Sequence, residues 1–246
     1  MPPKAKVIHK SGSGGSHPCT LAIDVGGTGL KASVLDDRGK MMADRCRVET
    51  PVGASPGVIV NTLVKLVGQL PAYDRISVGF PGVVRDGKVY TAPNLGNNGW
   101  RGFDLAAALR KRLGKPIKII NDADMQGLGV IKGKGIEMVV TLGTGFGTGL
   151  YWDGRIAPHL EIAHHPFRKG EDYDQQLGER ARKEIGNKKW NRRVEDAIDT
   201  LRRLVNFDHL YIGGGNAKRI DFKLAADTVV VDNKAGIEGG IALWRE

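Results

Sequence analysis

Two short stretches of this chain have the residue types and spacing for chemistry on a phosphorylated group. The first is "IINDAD", residues 119–124, an apolar run that delivers Asn121 and Asp122 at its end. In an α/β protein the carboxyl end of a strand is where ligands are met. Asp122 there can take a proton from an alcohol and turn its oxygen into a nucleophile, while Asn121 hydrogen-bonds neighbouring hydroxyls. Asp124 competes for the base role, and Asn121 or Asp122 can equally cap the helix that follows. The second stretch is "DVGGTGLK", residues 24–31. It lacks the Gly-Lys-Ser/Thr ending of a P-loop and runs into strand-like sequence rather than a helix, so it reads as a hairpin turn. Gly26 and Gly27 let backbone N–H groups approach an anion, Thr28 adds a hydroxyl and Lys31 a charge. Asp24 is itself anionic and suits a phosphate site through a Mg²⁺ ion or its waters.

Two more glycine turns follow apolar runs. "LGTGFGTG" (142–149) contains Thr144 and Gly145, and "YIGGGNAK" (211–218) contains Gly213, Gly214 and Gly215. Each alone is compatible with a tight turn; three together fit a polyphosphate chain held between two lobes. "HLEIAHH" (159–165) places Glu161, His164 and His165 close together. With no cysteine pair nearby, a zinc reading is disfavoured, and Glu161 and His164 suit vicinal sugar hydroxyls.

The elements that must position these residues are legible from periodicity. Strands are expected at 21–25, 30–35 and 40–48, with "DDRG" as the turn before the third. Val60, Leu63, Val64 and Val67 follow helical spacing after Ser55-Pro56. "RISVGF" is a strand, "DGKVYTA" a hairpin arm, "DLAAALRKRLG" a capped helix, "PIKIIND" a strand and "ADMQGLGVIKG" a short helix. Residues 138–156 then repeat the layout of the opening hairpin, which suggests an internal duplication. Residues 169–206 read as two amphipathic helices split near Gly186-Asn187. The strands "DHLYIGGG" and "DTVVVD" and a last helix from about residue 235 complete the chain.

The 246 residues suffice for one large domain or two lobes with real cores. A hydrophobic content of 41% with 26% charged residues is that of a soluble globular protein. No apolar run reaches membrane-spanning length. The two cysteines, Cys19 and Cys46, have no metal-type spacing and suit a reducing cytoplasm. Residues 1–17 form a basic, Gly/Ser-rich tail expected to be disordered. The net charge of +10 fits either solvated faces plus this tail or a polyanionic partner. Nucleic-acid motifs are missing, and aromatic residues make up only 6%.

Taken in order, "DVGGTGLK", "FPGVV", "APNLGNNGW", "NDAD", "LGTGFGTG", "EIAHH" and "IGGG" resemble the ROK family of sugar kinases, and within it the polyphosphate glucokinase branch. "PFRKGEDYDQQLG" has no cysteine where most ROK kinases carry a zinc-binding segment, another likeness to that branch. The resemblance implies an α/β fold of the actin-like, ribonuclease H-like, hexokinase type: two lobes with mixed sheets. Residues 18–120 and a C-terminal helix at 236–246 would form the smaller lobe, and residues 121–235 the larger. It implies a cytoplasmic, homodimeric enzyme without structural zinc that phosphorylates the 6-hydroxyl of glucose, with mannose as a further acceptor. The donor would be polyphosphate, ATP or both, with Mg²⁺. Asp122 would be the base, and Asn94, Asn121, Glu161 and His164 would hold the sugar. Asp24, Gly26, Gly27, Thr28, Lys31, Thr144 and Gly145 would surround the donor phosphates, and Gly213, Gly214 and Gly215 would line its far end. One departure is Ala163, where the family motif has glycine; it bears on the pose of His164. The alternatives are an ATP-dependent ROK hexokinase for mannose or fructose, and a sugar-sensing ROK regulator. The latter needs a DNA-binding helix-turn-helix for which the residues before the first strand are too few.

Overall fold

The computed structural model describes residues 18–96, 98–232 and 235–245; the basic tail at 1–17 lies outside the described residues. The chain opens with an apolar hairpin, β1 (Thr20–Val25) and β2 (Gly29–Leu35), joined by the three residues Gly26-Gly27-Thr28. Strand β3 (Cys46–Glu49) pairs antiparallel with β2. It is shorter than the sequence suggests: residues 40–45 form only an isolated bridge from Met41 to Leu35. This stretch is mostly exposed, so little apolar burial holds it in a ladder.

Helix α1 (Pro56–Val67) starts on a proline, whose missing N–H costs nothing there, and buries Ile59, Val60, Leu63, Leu66 and Val67. It leads to β4 (Arg75–Phe80), parallel to β1. A small hairpin, β5 (Val84–Arg85) and β6 (Lys88–Val89), and helix α2 (Leu105–Leu113) follow. Asp104 caps α2 by accepting from Ala107 N, and Gly114 stops it in a left-handed conformation. Strand β7 (Ile117–Asn121) completes a sheet of order β3-β2-β1-β4-β7 and passes directly into α3 (Asp122–Leu128).

The second sheet repeats this order. Strands β8 (Ile136–Leu142) and β9 (Phe146–Trp152) form an antiparallel hairpin, again with a three-residue loop, Gly143-Thr144-Gly145. β10 (Arg155–Ile156) pairs antiparallel with β9. A hairpin of β11 (Pro166–Arg168) and β12 (Glu171–Asp172) follows. Then come helices α4 (Tyr173–Leu177), α5 (Glu179–Ile185) and α6 (Asn187–Val205). The break at Gly186 falls where the sequence places it, but the segment before it holds a hairpin and two short helices rather than one long helix. Parallel strands β13 (His209–Gly213) and β14 (Thr228–Val230) give the order β10-β9-β8-β13-β14. The two sheets thus share strand order and sense, which supports the duplication.

Each sheet has its own apolar core. Leu21, Ile23, Leu63, Ile76, Phe80 and Trp100 lie in the first; Val140, Leu142, Trp190, Val194 and Leu210 lie in the second. The last helix, α7 (Ala235–Ala242), returns to the first sheet, where Ile241 packs with Ala22 and Leu35. Trp244 just beyond it donates to Ser77 Oγ at 2.8 Å. α3 stands where the two sheets meet, touching β4 and β7 on one side and β8 and β9 on the other.

Candidate active site

The two glycine hairpins, the start of α3 and the turn after β13 line one cleft of about 800 Å³. On its first wall are Asp24, Gly26, Gly27, Thr28 and Lys31. The Gly26 N–H closes the turn onto Gly29 O at 3.1 Å, so Gly27 and Thr28 carry the amides available to an anion. Lys31 Nζ donates to Asp24 Oδ2 at 2.8 Å, both side chains partly exposed. The second wall repeats the pattern: Gly143 N–H closes onto Gly145 O at 3.0 Å, and Thr144 and Gly145 line the cleft. A Cβ on Gly145 would collide with the Asp174 carboxylate, whose Oδ1 accepts from Phe146 N at 2.7 Å. Glycine is required there by packing.

Asp122 lies on the floor, opening to the cleft on one side and enclosed by protein on the others. Gly79 of β4 allows this: a Cβ there would come within 3.2 Å of Asp122 Cα. Burial, then the nearby negative charge of Asp24, push the Asp122 carboxyl up to about 7, against the pull of local backbone N–H groups. Asn121 caps α3 through Oδ1, which accepts from Ala123 N at 2.8 Å and Asp124 N at 3.3 Å. Its Nδ2 donates to Gly82 O at 3.2 Å. Capping uses most of its capacity and leaves one N–H for a ligand.

The remaining expected sugar partners, Asn94, Glu161 and His164, all line the same cleft. His164 Nδ1 lies 3.3 Å from Asp172 Oδ2, which orients the ring. Ala163 sits in a 3₁₀ turn at residues 162–164 and is not among the positive-φ residues, so its methyl group fits without backbone strain. Gly214 and Gly215 reach the cleft; Gly213 does not, and closes the end of β13 against Gln126.

Sequence reasoning passed over two groups. Asp174, far along the chain from the hairpin it braces, carries no local signal of that contact. His159 opens the run "HLEIAHH", where nothing local sets it apart. It lies 9% exposed, with Nδ1 2.8 Å from Asp124 Oδ2, and so removes Asp124 from competition for the base role. A Mg²⁺ ion fits this cleft: Asp24 offers a hard oxygen ligand, directly or through water, and the ion fills its remaining positions with waters and substrate phosphates.

Residues 20–160 match the ROK family. The chain is 30% identical over 215 residues to the polyphosphate glucokinase of Mycobacterium tuberculosis (strain CDC 1551 / Oshkosh), covering 82% of this chain and 79% of that protein. The inorganic polyphosphate/ATP-glucomannokinase of Arthrobacter sp. strain KM superposes with a TM-score of 0.83 at 30% identity, over 93% of this chain and 100% of that one. A ROK family glucokinase from Streptomyces griseus, solved with glucose and AMPPNP, shares the fold at a TM-score of 0.74 and 19% identity, over 92% and 99% of the two chains.

Proposed function

The chain belongs to the ROK family and is a sugar kinase, and from that premise we propose that it is a polyphosphate-dependent glucokinase. It would move the terminal phosphoryl group of inorganic polyphosphate, or of ATP, to the 6-hydroxyl of glucose, with mannose as a further acceptor. The observation that carries the reading is Asp122 at the start of α3, directly after β7, on one cleft with two glycine hairpins. A base poised near 7 is about half ionised at neutral pH and still has affinity for a proton.

In this reading the acceptor sugar lies against Asn94, Asn121, Glu161 and His164, with its reacting hydroxyl on Asp122. The carboxylate takes the hydroxyl proton as the oxygen attacks the terminal phosphorus, and the bond from that phosphorus to its bridging oxygen breaks to release the shortened polyphosphate, or ADP. Thr28, Thr144 and the amides of Gly27 and Gly145 hold the donor phosphates, with Lys31 adding charge and Gly214 and Gly215 at the far end. Mg²⁺, held by Asp24, would neutralise the transferring group. In such a transfer the protein's work is positioning and charge stabilisation. The lobe boundary at residue 121, the homodimer and the cytoplasmic setting belong to the same proposal. Among the described residues no helix is long and apolar enough to cross a membrane.

A coupled assay for glucose 6-phosphate, run with polyphosphate and with ATP, tests the reading. Turnover with polyphosphate is expected; turnover with ATP alone would remove the polyphosphate donor. Turnover of mannose or fructose but not glucose would replace the acceptor.

A further inference from the structure

Beside Asp122 lies a second group of charges, of which the proposed transfer uses Glu161 but neither His159 nor Asp124. His159 stands between two carboxylates: its Nδ1 is 2.8 Å from Asp124 Oδ2, and its Nε2 is 3.8 Å from Glu161 Oε2. The His159 and Asp124 side chains are 9% and 4% exposed. Three atoms of the group, Asp124 Oδ1, His159 Nε2 and Glu161 Oε2, are buried without a hydrogen-bond partner among the described residues. Buried polar atoms are ordinarily satisfied, so this arrangement is poised to close. The helix turn that presents Asp122 to the cleft also carries Asp124, and the loop holding His159 carries Glu161. His159 is therefore the link between the base and a sugar-binding carboxylate.

Resting on the sugar-kinase reading, we propose that His159 is a positioning residue for the acceptor: clamped by Asp124, it holds Glu161 in register with Asp122 and tightens onto it when the sugar binds. Charged groups face His159 from two elements, Asp124 of α3 and Glu161 of its own loop. Tyr151 of β9 lies beneath, donating to the Asp124 carbonyl at 2.7 Å, and burial keeps its phenol neutral. Burial opposes the charged imidazole, but the Asp124 and Glu161 carboxylates outweigh it and raise His159 to about 9. The clamp is thus intact at neutral pH and loosens as the pH rises through about 9.

Steady-state kinetics of the full chain from about pH 6 to 10 test this, with wild type, His159→Gln and His159→Ala. In both variants the sugar KM is expected to rise about tenfold or more, the scale of one charge-assisted hydrogen bond, with the donor KM unchanged. The wild-type sugar kcat/KM is expected to fall above about pH 9, and His159→Gln to lose that alkaline limb. A sugar KM within about twofold of wild type with the limb retained, or an equal rise in donor KM, would overturn the proposal. NMR titration of the His159 ring in unsubstituted protein gives a readout independent of turnover and of variant folding. A midpoint near 9 supports the clamp; one in the ordinary histidine range refutes it. If wild type phosphorylates no hexose, the sugar-kinase reading falls, while this titration still decides whether His159 is held as a cation.

Discussion

The two five-stranded sheets have the same strand order and sense, yet only the first delivers Asp122, the proposed base. In the first sheet the outer parallel strand, β7, is followed at once by α3, and the junction places Asp122 on the cleft floor. In the second sheet the matching strand, β14, is an edge strand with Val229 and Val230 exposed, and no helix like α2 separates it from β13. The hairpins differ in the same way. The first carries the charged pair Asp24–Lys31, whereas the second is braced by Asp174 and carries threonines. A repeated scaffold supplies the two turns proposed to hold phosphates, and the departures from symmetry supply the groups proposed for acid–base chemistry.

The largest expected effect breaks the half that holds the base. Asp122→Asn is expected to lower kcat by about 10²–10⁴-fold, measured with saturating glucose and donor. The fold should survive. A carboxyl raised from 3.8 to about 7 favours the native state below 3.8 and loses that contribution as pH rises through 7. Removing it is therefore expected to leave the melting temperature at pH 8 equal to or above wild type. Near-normal turnover would refute the base assignment.

Each core contains a fully buried tryptophan whose indole N–H donates to a backbone carbonyl, Trp100 to Ala54 O at 3.1 Å and Trp190 to Leu177 O at 2.8 Å. Trp190→Ala and Trp100→Ala are each expected to cost about 3–5 kcal/mol in denaturant unfolding. Similar losses would show that the two cores are equally needed despite their unequal chemistry.

Gly145→Ala sharpens the contrast between the hairpins. Its methyl group meets the Asp174 carboxylate, so the donor KM is expected to rise about tenfold, the equivalent of about 1.4 kcal/mol of displaced geometry, while the sugar KM stays within twofold. A rise in sugar KM instead would assign this hairpin to the wrong substrate.

The acid side of the rate profile is a finer probe. Because Asp122 must be ionised, kcat/KM is expected to fall below about pH 7, and Asp24→Asn to move that limb to lower pH by removing a neighbouring negative charge. A limb that does not move would show that the two carboxylates are uncoupled. The smallest effect belongs to the edge of the second sheet: Val229→Thr on β14 is expected to change stability by no more than about 0.5 kcal/mol, as for other exposed positions.

Much of the site was legible because its residues sit at the ends of strongly patterned elements. "IINDAD" announces a buried strand ending in polar groups, and both glycine turns follow apolar strands, so periodicity alone brings Asp122, Thr28 and Thr144 to element ends. Three consecutive glycines give no signal for which one ends the strand; pairing of Gly213 with Thr141 puts Gly213 in β13, and Gly214 and Gly215 line the cleft. The stretch from 40 to 45 alternates weakly enough to suggest a strand, but it lacks the apolar face that would hold it in the ladder.

The sequence by itself determined most of the elements, the three glycine turns and the carboxylate just past β7, since these depend on local propensity and on burial with periods of 2 and 3.6. Tertiary structure alone decided that Asp174 braces a turn formed much earlier in the chain, and that His159 reaches Asp124 across 35 residues. It also decided that Asp122 is enclosed enough, and near enough to Asp24, for its carboxyl to be raised to about 7. Those depend on which elements pack together, and desolvation and charge proximity exist only once the two sheets have closed around α3.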